Sequence, residues 1–182
     1  MSCEVQAQTD VLKDPRDGHE YKTVQIGTQT WMAENLLYTG IPYSYCFDSL
    51  SPYCINKHCN DMYGAYYTWG AAQKACPAEW HLPGKEEVQK LLTTIGGTKT
   101  DKFKALIKGG SSGFNVILGS GMGEGRMNKD IAGVRFSKVA GFWTSTERGE
   151  YTACRFFFST LKFVNFVAEK KRIVFSVRCI ND

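Results

Sequence analysis

The sequence predicts an α+β domain, and three observations predict it. Helical periodicity is confined to residues 68–108, strand-type segments crowd the chain after Gly109, and no internal repeat or regular strand–helix alternation links the two parts. A chain of 182 residues with 43% apolar content suits one ordinary core, so a single domain is expected at 17–182, with residues 1–16 as a polar lead-in or tether. The net charge of +4 is modest, and the tight basic group Lys170, Lys171 and Arg172 is explained by a solvated strand end, so no nucleic-acid partner is expected. No apolar run approaches the roughly 18 residues of a membrane helix, so no membrane span is expected either.

Asp17-Gly18 is a turn signal, and Tyr21-Lys22-Thr23-Val24-Gln25-Ile26 follows with the period of a strand. Gly27 to Thr30 turns the chain into Trp31-Met32, which completes a hairpin. Residues 39–62 carry Pro42, Pro52 and a cysteine cluster, a long loop that a compact domain keeps only if it is stapled. Trp69, Ala72 and Cys76 then share one helical face, and Pro77 stops that helix. Leu82 is held extended by Pro83. A second helix starts with Gly84 as N-cap and Glu87 three residues on; Val88, Leu91, Leu92 and Ile95 form its apolar stripe, and Gly96-Gly97 ends it. Asp101 to Lys108 is a short third helix with Phe103, Leu106 and Ile107 inward. Strand candidates follow at 114–118, 134–139, 142–146, 151–158, 163–167 and 173–180.

Seven cysteines are more than a reduced cytosolic domain usually carries, which favours an oxidising compartment. The chain opens without a basic or apolar leader, so a removed signal peptide is one reading. Cys3 is then a candidate lipid-attachment residue; a free cysteine in a frayed terminus is the other reading. Cys46, Cys54, Cys59 and His58 form a possible zinc set, but the paired C-x2-C knuckle is missing. A loop closed by Cys46 with Cys59 is the preferred reading, worth about 3 kcal/mol in the chain-entropy model.

Enzyme motifs do not assemble. Gly109-Gly110-Ser111-Ser112-Gly113 satisfies G-x-S-x-G but follows a helix and precedes a strand, the reverse of a nucleophile elbow. The glycine-rich stretch 119–126 is neither a dinucleotide fingerprint nor a P-loop. His19, His58 and His81 have no nucleophile and orienting group around them in sequence, and Glu86 and Glu87 suit the positive end of a helix. No catalytic residue, metal or cofactor is expected.

Trp31-Met32-Ala33-Glu34-Asn35, Cys76-Pro77-Ala78-Glu79-Trp80-His81-Leu82-Pro83, Trp143-Thr144-Ser145-Thr146-Glu147 and Ser176-Val177-Arg178-Cys179 together closely resemble the Fibrobacter succinogenes major paralogous domain, from about Asp14 to the C-terminus. The resemblance implies a C-type lectin-like fold: two main helices early, a twisted and mostly antiparallel sheet late, and the N- and C-terminal strands close together. It also implies a bridge between Cys76 and Cys179, which would contribute about 4 to 5 kcal/mol by closing a loop of about 100 residues. Cys54 and Cys154 are left over, with a pairing between them open.

The Glu-Pro-Asn, Gln-Pro-Asp and Trp-Asn-Asp tripeptides of calcium-dependent lectins do not occur, so calcium-dependent sugar binding is not expected. Some relatives are variable proteins of diversity-generating retroelements, and the stretch Arg148 to Val174 stands where their diversified region lies. The expected function is a non-enzymatic recognition module outside the cytoplasm, on a bacterial cell surface or a virion tip. Its partner is a protein or glycan, met through residues 148–172 by Arg148, Glu150, Tyr151, Phe156, Phe158, Lys162, Phe163 and Phe166. The alternatives are an enzyme of the formylglycine-generating type, with paired thiols as its chemistry, and a structural fibre or adhesion component.

Overall fold

The computed structural model describes residues 9–46, 62–119, 121–126, 132–136 and 139–181. Four antiparallel strands form the first sheet: β1 (Thr9–Lys13), β2 (Glu20–Ile26), β3 (Gln29–Met32) and the last strand, β11 (Ile180–Asn181), in the order β1-β2-β3-β11. Ile180 lies opposite Trp31, so the two ends of the chain meet in one sheet. β1 corrects the lead-in expected over residues 1–16. Its short Thr-Asp-Val-Leu-Lys run carries little periodic signal, yet all five residues pair with β2. Behind it, buried Asp14 accepts from the Arg16 side chain at 2.6 Å, and Gly18, at φ +78°, closes the turn into β2.

This sheet contributes buried side chains from both faces. Tyr21 and Met32 point into one core with Leu36, Tyr66, Tyr67, Trp143, Phe175 and Val177; Val24 and Trp31 point into a second with Val88, Leu91, Phe103, Phe142, Phe156 and Phe158. The period of two along a strand sends neighbouring residues to opposite cores.

Two short strands, β4 (Ser44–Tyr45) and β5 (Tyr66–Tyr67), pair across the long loop. The helix expected from Trp69 to Cys76 is a single turn, α1 (Trp69–Ala72). Beyond it Lys74 and Ala75 make i→i−3 bonds to Ala71 and Ala72, because Pro77 drives Cys76 out of helical geometry. α2 (Lys85–Ile95) begins where the sequence places it, with the Gly84 N–H donating to the Glu87 carboxylate at 2.6 Å. α3 (Lys99–Leu106) is capped by Thr98, whose hydroxyl accepts from the Asp101 N–H. Both pack Val88, Leu91, Phe103 and Leu106 on the second core.

Residues 114–118 are not a strand. Val116 makes one parallel bridge to Ile107, and the carbonyls of Phe114 and Asn115 are claimed by a side chain, Arg178. A strand pair follows, β6 (Gly121–Arg126) with β7 (Ala132–Phe136); β7 overlaps the candidate expected at 134–139, and β6 has no counterpart among the expected strands. The chain then runs as a meander, β8 (Val139–Gly149), β9 (Thr152–Ser159) and β10 (Phe163–Lys170), in the order β8-β9-β10. Residues 173–180 make isolated bridges to Tyr67, Phe142 and His81 in place of one long strand, stitching the meander to the first sheet. The architecture is mixed α+β with several antiparallel sheets.

Cys76 and Cys179 form a disulfide, with Cα atoms 5.8 Å apart. Cys46 is buried and disulfide-bonded; its expected partner Cys59, the zinc alternative through Cys54, His58 and Cys59, and Cys3 all lie outside the described residues. Cys154 is a free, buried thiol, so the Cys54–Cys154 pairing left open by the sequence is not formed.

Candidate functional site

The meander sheet has two unlike faces, and register assigns each side chain to one of them. Phe142 faces Phe156 across β8 and β9, and Phe166 faces Phe156 across β9 and β10. This face lies against α2 and α3. Phe142 stacks on Phe156 at 5.1 Å, and Phe158 meets both rings edge-on. Phe156 and Phe158, expected as contact residues, are 1% and 0% exposed and are therefore core residues. Phe166 shares their face, half-buried, with the Lys85 ammonium 5.8 Å from its ring. Alternation along β9 sends Phe156 and Phe158 to the face packed with the α2 and α3 side chains and Phe157 to the other, which is the side of Gly141. This glycine stands opposite Phe157, where a Cβ would approach the Phe175 ring to 2.8 Å, so only glycine lets Phe175 close over β8 on that side.

On the outer face Phe175 covers Trp143, edge-on at 4.9 Å, and the covering stops at β9. The Arg155 guanidinium lies 4.6 Å from the Phe175 ring and 4.9 Å from Phe157, with Glu169 at 3.6 Å. Burial lowers the Arg155 pKa, against the pull of Glu169. Phe157 meets Phe163 edge-on at 5.7 Å, and Asn165 and Val167 are exposed beside them. Phe163, one of the expected contact residues, is on the open face and half-buried. Phe157 and Val167 join it there, a placement legible only once the helices covering the opposite face are known.

The remaining expected contacts sit at the two ends of this strip. At the β8–β9 turn Arg148, Glu150 and Tyr151 are exposed, Tyr151 by 73%. That turn is fixed from below. Lys171 Nζ donates to Glu147 and, at 2.8 Å, to the Glu150 carbonyl; its backbone N–H donates to the Tyr151 carbonyl at 2.9 Å; its ammonium lies 4.6 Å from the Trp69 ring. A hydrogen bond to Glu150 raises the pKa of the Tyr151 hydroxyl. At the β9–β10 turn Lys162 adopts φ +59°, and Leu161 beside it is 77% exposed. The eight residues of β9 separate the two ends by about 23 Å. The expected residues therefore form an elongated strip and not one cluster.

The motif residues do a different job. Asn35 accepts from Arg178 Nε at 2.9 Å and donates to the Tyr63 carbonyl. Trp143 Nε1 donates to the Tyr67 carbonyl at 2.8 Å and Trp69 Nε1 to the Thr144 carbonyl at 2.9 Å. The Ser145 N–H donates to the Pro83 carbonyl, and the Lys85 N–H to Thr146 Oγ1. His81 pairs with Glu87 at 2.7 Å while its backbone exchanges two bonds with Ile180. Trp143, Arg178 and Asn35 are buried, and their hydrogen bonds join elements far apart in sequence. Among the described residues no group of three or more His, Cys, Asp or Glu could hold a metal ion, and no helix is long and apolar enough to cross a membrane.

Residues 24–181 match the family described as Fibrobacter succinogenes major domain. No curated protein and no solved structure matches the chain.

Proposed function

Because the chain belongs to the Fibrobacter succinogenes major domain family, whose match spans nearly its whole length, we propose that it is a non-enzymatic recognition module on a C-type lectin-like fold. It works outside the cytoplasm, as a secreted, lipid-anchored or virion-borne domain, and binds a protein or glycan through the outer strip of residues 148–172. The carrying observation is a division of labour. The buried motif side chains bond to one another across the fold, while Arg148, Glu150, Tyr151, Leu161, Lys162, Phe163 and Val167 project from two pinned hairpins. Rigid aromatics over a fixed frame offer contact area at low entropic cost. Phe156 and Phe158 support that strip from beneath.

Exposed Tyr151 beside Arg148, with Leu161 and Val167 as apolar contact area, makes a protein partner the better fit of the two, since Tyr and Arg are enriched at protein interfaces. The strip also lies within the segment expected to be diversified by a retroelement. A near-copy of the coding stretch differing only at adenines, beside a reverse transcriptase gene, is the observation that would support that origin.

The test is a displayed-protein and glycan-array screen with the parent domain and a Tyr151→Ala, Leu161→Ser, Val167→Thr variant. All three side chains are exposed, so the variant should keep the parent melting temperature while losing the parent's hits. Hits that survive all three substitutions would place recognition elsewhere. Thiol titration of the native protein separates the enzyme alternative, which needs accessible paired thiols; the free thiol among the described residues, Cys154, is 2% exposed.

A further inference from the structure

Away from the hairpins, the loop after β3, the end of α3 and the residues before β11 enclose an open cleft of about 560 Å³. None of its lining residues belongs to 148–172, so the inference goes beyond the reading above. Arg178 forms the floor, 2% exposed, and Lys22 and Lys108 stand exposed at the rim. The guanidinium donates to Asn35 Oδ1 at 2.9 Å, to the Phe114 carbonyl and to the Asn115 carbonyl at 3.0 Å, and lies 4.6 Å from the Phe114 ring. Every one of these partners is neutral. Among the described residues neither Arg178 nor the two lysine side chains has a carboxylate within ion-pair distance. Among the described residues the cleft's one carboxylate, Glu34, accepts from the Lys22 backbone N–H at 2.8 Å.

Three cations thus converge with one carboxylate among them, and a buried charge lacking a counter-ion is costly. Burial pushes the Arg178 pKa down to about 9, with Glu34 opposing weakly from a distance. An anion entering the cleft relieves this imbalance. Its chemistry is restricted by what else is present. The guanidinium fork that would clamp a phosphate is committed to Asn35, Phe114 and Asn115. Among the described residues no lining side chain is aromatic, so they offer a sugar ring nothing to stack on, and Ala33, Met62 and Ile117 supply an apolar wall.

We propose that this cleft binds a small aliphatic carboxylate, such as the free C-terminal end of a peptide, with its acid between Lys22 and Lys108 above Arg178 and its apolar body along Ala33, Met62 and Ile117. The volume falls in the range of sites for ligands of a few residues. The probe is a dye-labelled Gly-Gly-Val-Leu peptide, as free acid and as C-terminal amide, followed by fluorescence anisotropy. The acid should bind at least about tenfold more tightly than the amide and weaken as salt is raised. Lys22→Glu with Lys108→Glu should abolish binding at an unchanged melting temperature, and Lys108→Gln alone should weaken it. N-acetyl-leucine as competitor distinguishes the sources: competition equal to that of the unlabelled peptide identifies a free acid, weaker competition a chain end. Equal affinity of acid and amide, no binding of the acid at about 10 mM, or parent-like binding by the double lysine variant would each overturn the proposal.

Discussion

Arg178 shows how one side chain can hold a fold together without an ionic partner. Its three nitrogens each donate once, to Asn35, Phe114 and Asn115, joining the segment before β11 to the loop after β3 and the loop after α3. Two aromatic rings, Phe114 and Phe142, flank the guanidinium at 4.6 and 5.3 Å. Truncating it leaves a buried amide oxygen and two carbonyls without donors and empties a large volume. Arg178→Ala should therefore cost about 3 to 5 kcal/mol in urea unfolding. Arg178→Lys should recover only a part, since an ammonium cannot reproduce the planar fork. A loss below about 1 kcal/mol would mean that water replaces these bonds freely. The motif containing Arg178 was legible in the sequence, but its role was not. Nothing in Ser-Val-Arg-Cys says which carbonyls the arginine will meet, and the same bonds are why the β-rich run 114–118 is not a strand.

At the scale of elements, legibility followed the locality of the signal. α2 carries its cap and stripe within a few residues and the β2–β3 hairpin carries its turn, so both stand where expected; α3 begins and ends two residues before the expected 101–108, because Thr98 caps it. α1 stops early because a proline and a distant disulfide claim Cys76, and β1 forms because β2 needs a partner. The faces of β9 were undecidable from β9 alone, since the side chains that bury Phe156 and Phe158 come from α2, α3 and β8. β10 carries a device of its own. It is the edge of its sheet, and edge amides invite pairing with another chain. Here the Phe166 N–H donates to Asn165 Oδ1 at 2.9 Å and the Lys170 N–H to Glu169 Oε1 at 3.1 Å, which makes these amides unavailable to an added strand. Replacing both acceptors, Asn165→Val with Glu169→Val, leaves an apolar, uncapped edge. Light scattering should then show more self-association than in the parent at equal concentration. An unchanged mass would mean that the exposed charge of Lys170 suffices to protect the edge.

Across the whole molecule, the C-terminal segment is tied to the earlier part of the chain twice, and the two ties act on different states. The Met32 N–H donates to the Cys179 carbonyl, and His81 and Ile180 exchange a pair of backbone bonds, so Cys76 and Cys179 are neighbours before any sulfur chemistry is considered. The disulfide spans 103 positions and acts mainly by restricting the unfolded chain. Cys76→Ala with Cys179→Ala should keep the native near-ultraviolet circular dichroism and lower stability by about 4 to 5 kcal/mol in guanidinium titrations. It should also raise the denaturant m-value, because the released chain expands and exposes more surface. The double variant is the cleaner measurement, since a reductant would also open the bridge at Cys46. A changed native spectrum would show that the bridge shapes the fold as well as fastening it. An unchanged midpoint would show that the unfolded ensemble is already compact, and the frame beneath the outer strip would then owe its rigidity to packing and hydrogen bonds alone.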